Sequence, residues 1–542
     1  MGKTSLDIDR LEVRVGEFPA RGVDRRDFLR ALGALGAGTL LVSVLGPARR
    51  AEAAPTAAET FPDGIKSGDP RPRQSVIWTR VPRPPSGAPV PVLWEVAEDA
   101  AFTRIVAGGL VSAKEADGHT VKVWATPLRS DSWFHYRFTA NGVQSVVGRL
   151  RTAPLPGRPV DRLRYAFASC QQRGVIGASG KESLYVTHRA IAKEGVDFLM
   201  HLGDYIYASD SGDLRVADYR RRYQIFHSNP ELQKLQAAVP LIPTWDDGEF
   251  YNGVDRLGDP ARLAAARQVW FEMMPVLKPR DERIYRTLPW GNLADVIMID
   301  TRMYRDPAVD VTNTLLPGGD VVFDPSRTTL GAAQKQWLEK QLAGSRAAWR
   351  FIGSSYNVNP WKIVDYDTPE IRAANPEYQR NAGNYAPNEA WDDYQAERRE
   401  LLEFLAERDL RNNVFTCGHT HYYLACELQP DFDDLASPTV AFDFTTGSQT
   451  ADPDPATQGY EGLFRLIEAG FRRSNHPYMK HVNLWNQGYA VVDVTPEEAL
   501  VHYRVVDTFD PNAEARTYAT FRVRSGSRTL ETLYDETPPS PL

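Results

Sequence analysis

Several apolar runs of this chain stop at a residue that can bind a cation or move a proton. "RLRYAFASC" ends at Cys170, and "VDFLMHLGD" ends at Asp204 with Tyr205 and Tyr207 just beyond. "LADVIMID" ends at Asp300, "AAWRFIGSS" at Ser354 and Ser355, and "NNVFTCGHTH" at His419 and His421. The loop "PTWDDGEFYNG" adds Asp246, Asp247, Glu249 and Asn252. Carboxylate and amide oxygens suit hard cations, imidazole suits transition metals, and a thiolate or phenolate favours a more Lewis-acidic ion such as iron. A carboxylate such as Asp204 has two oxygens and can bridge two ions about 3.5–4 Å apart, a pair that holds a phosphoryl group and makes hydroxide at moderate pH. Each signal alone has a plainer explanation. Gly-Asp after a strand is usually a turn, Asp-Asp in a loop a solvated charge pair, and a buried cysteine a small hydrophobe. Their ordered succession at strand ends is what argues for a metal centre.

Such a centre needs strands that end on one rim. In open α/β sheets ligands gather outside the carboxyl ends of the strands. The apolar runs alternate with amphipathic patterns such as "AAQKQWLEKQLAGS" and "YQAERRELLEFLAERD". Continuous apolar strands between such helices predict an α/β domain, over residues 160–525, with both sheet faces covered. After about Tyr489, "YAVVDV", "ALVHYRVVD" and "TYATFRV" read as closing antiparallel strands. Over residues 61–151 the pattern is short alternating strands, "SVIWTRV", "PVLWEVA", "TVKVWA", "WFHYRFTA" and "VVGRLRTA", which predict a small antiparallel β-sandwich. "TAPLPGRP" reads as the linker between the two.

The N-terminus reads as a targeting segment. Arg25 and Arg26, followed by Phe28 and Leu29, match a twin-arginine pattern, and an apolar run from Ala31 to Leu45 leads to Ala51-Glu52-Ala53. Residues 1–53 are therefore expected to be a twin-arginine signal peptide, too short in its apolar part for a comfortable membrane span. The Ala-rich stretch 54–60 is expected to be disordered after cleavage. Cleavage would remove nine basic and seven acidic residues and take the net charge from −7 to −9. That balance gives no nucleic-acid-binding signal. Three cysteines provide no disulfide framework. The expected location is the exterior, periplasm or cell envelope, reached through the twin-arginine machinery, which often carries proteins already loaded with a cofactor.

In order along the chain, "FPDGIKSGDPRPRQSVIWTRV", "SCQ", "HLGDYIY", "PTWDDGEFYNG", "IDTRMYR", "QKQWLEKQLAGSRAAWRFIGSS", "WDDYQAERRELLEFL" and "CGHTH" resemble the alkaline phosphatase D (PhoD-like) family of the metallophosphoesterase superfamily. The resemblance covers essentially the whole mature chain. It implies an αββα metallophosphoesterase sandwich behind an all-β, fibronectin type III-like domain, and a centre that can hold ferric iron with calcium, other divalent metals being possible. On matching positions Cys170, Asp204, Tyr207 and His421 would hold the iron. Asp204 would bridge to the calcium side, where Asp247, Asn252 and His419 would bind, with Asp246 as a ligand or as an orienting group. Asp204, Asp247 and His419 form the expected catalytic group, and Arg302, Arg305, His476 and His481 are candidates to meet substrate.

Two departures from the family pattern stand out. Gly248 occupies the place of a histidine in Trp-Asp-Asp-His-Glu, a residue associated with leaving-group protonation or charge stabilisation, where acid help is typically worth about 10²–10⁴-fold. His419 stands where many members have an aspartate, which lowers the negative charge around the ions. The resulting expectation is an exported phosphoesterase that hydrolyses phosphomonoesters, phosphodiesters or both by attack of metal-held hydroxide. The alternatives are a phospholipase D-like diesterase and a metal-bearing but catalytically weakened binder of phosphorylated ligands.

Overall fold

The computed structural model describes residues 55–172, 175–176, 181–208, 214–309, 320–365, 383–385, 389–432, 434, 436–451 and 461–537, and the expected signal segment lies outside them. The described chain divides into two compact units, one built on residues up to 153 with 236–240 and 271–277, the other on the remainder.

In the first unit, Val90–Ala97 pairs antiparallel with Ile105–Ala113 and with Ser132–Ala140, which in turn pairs with Gly148–Thr152. Ile65–Arg71, Gln74–Arg80 and Thr120–Ala125 form a second antiparallel set. Ile65, Ile77, Trp94, Phe134, Tyr136 and Phe138 lie in one core between them. Two strands escape the sequence pattern. Ile65–Arg71 contains Gly68, Asp69 and Pro70, residues of turn type; the structure absorbs them in a register shift between Gly68 and Arg71, with Asp69 at φ 44°. Ile105–Ala113 is interrupted by Gly108 and Gly109, and the Trp94 ring packs over Gly109. Ahead of the first strand, Ala57–Thr60 forms a short helix where disorder was expected. Thr56 and Glu59 close a capping box there, with Thr56 N–H donating to Glu59 Oε2 at 2.7 Å.

Among the described residues the second unit contains two large sheets beside two two-stranded ribbons. In the first, Leu163–Ala168, Phe198–His201 and Leu241–Pro243 run parallel. The closing strands Gly488–Val494, Glu498–Val505, Arg516–Arg524 and Leu530–Asp535 follow antiparallel on the other side of Leu163–Ala168. In the second, Ala294–Met298, Trp349–Ser354, Asn413–Cys417 and Ala441–Thr445 are parallel, with antiparallel strands at both edges.

Alternate side chains of a strand face opposite ways, and here both faces are buried. Phe351 of the second sheet packs edge-on against Tyr165 of the first, with ring centroids 5.2 Å apart. On the opposite face Ile297, Ile352 and Phe415 meet Leu338 and Leu342 of the helix Gly331–Gly344 and Leu401, Leu402 and Leu405 of the helix Gln395–Glu407. The two helices are tied at their ends, since Glu397 accepts the N–H groups of Thr329 and Leu330. This is the α/β sandwich expected from the alternation of apolar runs and amphipathic helices.

Candidate metal centre

The parallel strands of both sheets deliver their carboxyl-terminal loops to one place. The loops are laced together by main-chain bonds: Cys170 N–H donates to Gly203 O, Gln171 N–H to Asp204 O, and Gly418 N–H to Ser355 O. Immediately beyond the strands, Cys170, Asp204, His419 and His421 adopt φ values of 60°, 52°, 71° and 63°. The left-handed region is unfavourable for residues with a β-carbon, by on the order of 1–3 kcal/mol each. Four such residues on one rim turn four side chains of metal-ligand type away from their strands.

Two donor groups result. Cys170, Asp204 and His421 can each offer an atom within 4.8 Å of the others. Cys170 Sγ lies 3.4 Å from Asp204 Oδ2, while the Tyr207 hydroxyl lies 3.2 Å from Asp204 Oδ2 and 3.2 Å from His421 Nε2. Asp204, Asp246, Asp247 and His419 form the second group by the same measure. Asp204 belongs to both. A thiol, a phenol and an imidazole thus stand on one side of a shared carboxylate, with two carboxylates and an imidazole on the other.

The electrostatics of the cluster call for a cation. Burial, then the Asp246, Asp247 and Glu249 carboxylates, push the Asp204 carboxyl well above its usual range. Burial and the Asp204 carboxylate do the same to the Cys170 thiol and the Tyr207 phenol. Burial also raises Glu249, to about 8, despite the N–H donors of Asp204, Tyr205 and Asp246 on its carboxylate. Asp246 goes the other way. Burial alone would raise it, but the Arg302 guanidinium and the His419 ring outweigh burial and hold it well below. These donors are acids that cannot all ionise together unless a positive charge joins them, and their chemistry fits metal ions.

Arg302 is the fixed cation of the site. Its Nε bonds Asp246 Oδ1, and its Nη2 lies 3.7 Å from Asp247 Oδ2 and 3.2 Å from His419 Nδ1. Asp300 holds the turn that carries it, accepting N–H from Arg302 and Met303, and Gln334 of the helix Gly331–Gly344 braces Asp300 through both main-chain groups. Asp300 is therefore a structural staple at its strand end. His419 Nδ1 meets Asp246 Oδ2 at 2.8 Å, so Asp246 orients the ring, whose Nε2 lies 3.4 Å from Arg302 Nη2.

Gly248 has a positive reason to be glycine. Its N–H donates to Asp204 Oδ1 at 2.8 Å, and a β-carbon there would lie 2.6 Å from that oxygen and 2.6 Å from the Ile206 carbonyl. The loop thus closes its backbone onto the shared carboxylate at the position the family pattern gives to a histidine.

The remaining candidates are placed differently. Asn252 is exposed on the same loop, beside Gly253, whose N–H donates to Asp247 Oδ2. Neither His476 nor His481 enters a donor group: His476 is exposed, and His481 is buried against Asp535, Tyr503, Tyr518 and Phe521. Sequence reasoning passed over Glu389, which bonds both Arg302 and Arg305. No local pattern marks it, since its partners lie more than eighty residues away in the chain.

Comparison with known proteins gives the chain its relatives. The chain matches the family described as PhoD-like phosphatase over residues 165–503, and the PhoD-like phosphatase N-terminal domain over residues 47–154. It is 32% identical to a Bacillus subtilis (strain 168) protein named alkaline phosphatase D, across 93% of this chain and 88% of that one. A solved structure titled "Structure of PhoD" superposes with a TM-score of 0.76 at 29% identity, covering 90% of this chain and 94% of that one.

Proposed function

The chain belongs to the PhoD-like phosphatase family and is a phosphoric ester hydrolase; from that premise we propose an exported, two-metal phosphoesterase acting on phosphomonoesters, phosphodiesters or both. The observation that carries the reading is Asp204, one carboxylate common to two donor groups of unlike chemistry. Cys170, Tyr207 and His421 suit a ferric ion on one side; on the other the Asp246 and Asp247 oxygens suit a hard ion such as calcium, while the His419 imidazole draws that side toward a transition metal. Metal ions bound there would polarise a phosphoryl oxygen and lower the pKa of water. The protein's own groups do the rest. Asp246 fixes the His419 ring, Gly248 N–H fixes the Asp204 carboxylate, and Arg302 faces the centre as a permanent positive charge for phosphoryl oxygens.

Gly248 favours a second emphasis within this reading. A loop that meets Asp204 with its backbone presents no acid at that position, so substrates whose leaving group needs little protonation are favoured. Esters of acidic alcohols, mono- or diester, fit that description, whereas the alkyl alcohol released from a phospholipase D-type substrate would need its proton from another group. Export through the twin-arginine route, with removal of residues 1–53, places the activity outside the cytoplasm.

The test is elemental analysis of protein from export-competent expression, combined with assays on matched mono- and diester substrates. Bound metal with turnover supports the proposal, and the ratio of the two rates settles the substrate class. A metal-loaded protein that turns over neither class would instead be a binder of phosphorylated ligands.

A further inference from the structure

We propose that Arg302 and Arg305 form the seat for a non-bridging oxygen of the phosphoryl group, and that Glu389 fills this seat until substrate displaces it. The proposal rests on the phosphoesterase reading above. Glu389 Oε2 lies 3.0 Å from Arg302 Nη1 and 3.1 Å from Arg305 Nη2, so one carboxylate oxygen accepts from two guanidinium groups. A phosphoryl oxygen makes the same charge-assisted contacts. The seat adjoins the metal donors, because the guanidinium that bonds Glu389 also reaches His419 and Asp247.

The two sides of this contact are built differently. The arginines are fixed. Arg302 is held by Asp246, and Arg305 by the carbonyls of Gly253, Val254 and Glu389 at 2.8–3.0 Å. Both arginine side chains are 0% exposed, whereas that of Glu389 is 32% exposed. Its carboxylate is the member that can leave toward solvent. Glu389 also has a left-handed backbone, φ 61°, as do the four metal-binding residues of the rim. The niche for its second oxygen depends on Gly253, where a β-carbon would lie 2.8 Å from Oε1. Gly253, at φ 74°, donates its N–H to Asp247 as well, so one turn shapes both the niche and the metal side.

An internal carboxylate in the seat lowers the apparent affinity of any anion by the fraction of molecules in which the seat is open. Glu389 thus sets a threshold: a ligand must offer an oxyanion strong enough to replace a carboxylate between two arginines. Product phosphate meets the same threshold, so Glu389 weakens product inhibition together with substrate binding.

The experiment titrates the full-length, metal-loaded wild type, Glu389→Gln and Glu389→Ala with inorganic phosphate by calorimetry, alongside KM and the inhibition constant of phosphate. Removing the competing charge is expected to lower the Kd for phosphate about tenfold in both variants, with KM and the inhibition constant falling in step. Unchanged or weaker phosphate binding would overturn the proposal, making Glu389 a strut or part of the anion's own site. Failure of both variants to fold would overturn it equally, since a displaceable group cannot be essential to the fold. Absence of turnover in the wild type would count against the phosphoesterase reading alone, because phosphate binding is read at equilibrium.

Discussion

Two Asp–His pairs in this molecule make the same contact and have different surroundings. Asp246 meets His419 Nδ1 at 2.8 Å, and Asp535 meets His481 Nδ1 at 3.0 Å. Around His419 stand Arg302 and the carboxylates of Asp204, Asp246 and Asp247. Around His481 stand Tyr503, Tyr518 and Phe521, with ring centroids 5.5–6.0 Å away, and its buried Nε2 has no hydrogen-bond partner among the described residues. His419 sits in a loop at φ 71°, whereas His481 lies within the strand Met479–Asn483. A carboxylate on one ring nitrogen does not make a site. What faces the other nitrogen decides it.

The contrast can be broken most severely at Asp204. Asp204→Asn keeps the shape and removes the charge shared by both donor groups. Loss of bound metal and a rate loss of at least about 10³-fold are expected, beyond the 10–100-fold typical of residues that only support a ligand. Asp246→Asn belongs to that milder class: metal affinity or turnover should fall about 10–100-fold as His419 loses its orienting charge. Titration with a metal buffer, followed by assay, separates the two variants.

A third change tests the backbone rather than a ligand. Gly248→Ala places a β-carbon against Asp204 Oδ1 and the Ile206 carbonyl, so a destabilisation of about 1–3 kcal/mol is expected in denaturant melts, with weakened metal retention. Restoring the family residue by Gly248→His meets the same obstacle and should not raise monoesterase turnover.

The smallest effect on function is expected at the other pair. Asp535→Ala removes the closer partner of the buried His481 Nδ1, leaving Thr537 Oγ1 at 3.4 Å, and should cost about 1–3 kcal/mol of stability while metal content and turnover persist. In metal-free protein both pairs lose their carboxylate's contribution in acid, and the His419 pair adds a second window on the alkaline side. Burial would raise Asp535, but the His481 hydrogen bond outweighs it and holds the carboxyl at about 2. Its contribution is present above the unfolded value of about 4 and is lost as pH falls toward that depressed value. Burial would lower His419, but Asp246 outweighs it and raises the ring. That contribution is full below the unfolded value of about 6.5 and is lost as pH rises through the raised folded value. Melting curves of metal-free Asp535→Ala and Asp246→Asn against wild type across pH would show the two windows.

Much of this architecture is legible in the sequence, because its signals are local. The strands Leu163–Ala168, Phe198–His201, Ala294–Met298, Trp349–Ser354 and Asn413–Cys417 are each an apolar run broken by polar chemistry, and both helices over the second sheet show their buried leucines at helical spacing. Cys170, Asp204, His419 and His421 follow from position at those strand ends. The first strand carries Gly68-Asp69-Pro70, residues of turn type, and keeps its pairing only through a register shift. Pairings across the chain stay hidden because they are not local. His419 finds Asp246 at a separation of 173 residues, and His481 finds Asp535 at 54. Spacing within "GHTH" or "HPYMKH" cannot tell these environments apart. Nor can it reveal that Gly248 presses on Asp204, which depends on a main-chain approach between two loops.

The central claim is that Asp204 joins two donor groups into one metal centre. Metal stoichiometry of purified wild type, Asp204→Asn and Asp535→Ala, measured by elemental analysis, tests it most directly. The account expects bound metal in the wild type and in Asp535→Ala, and loss from both halves of the centre in Asp204→Asn. Retention of the full wild-type complement by Asp204→Asn would contradict it.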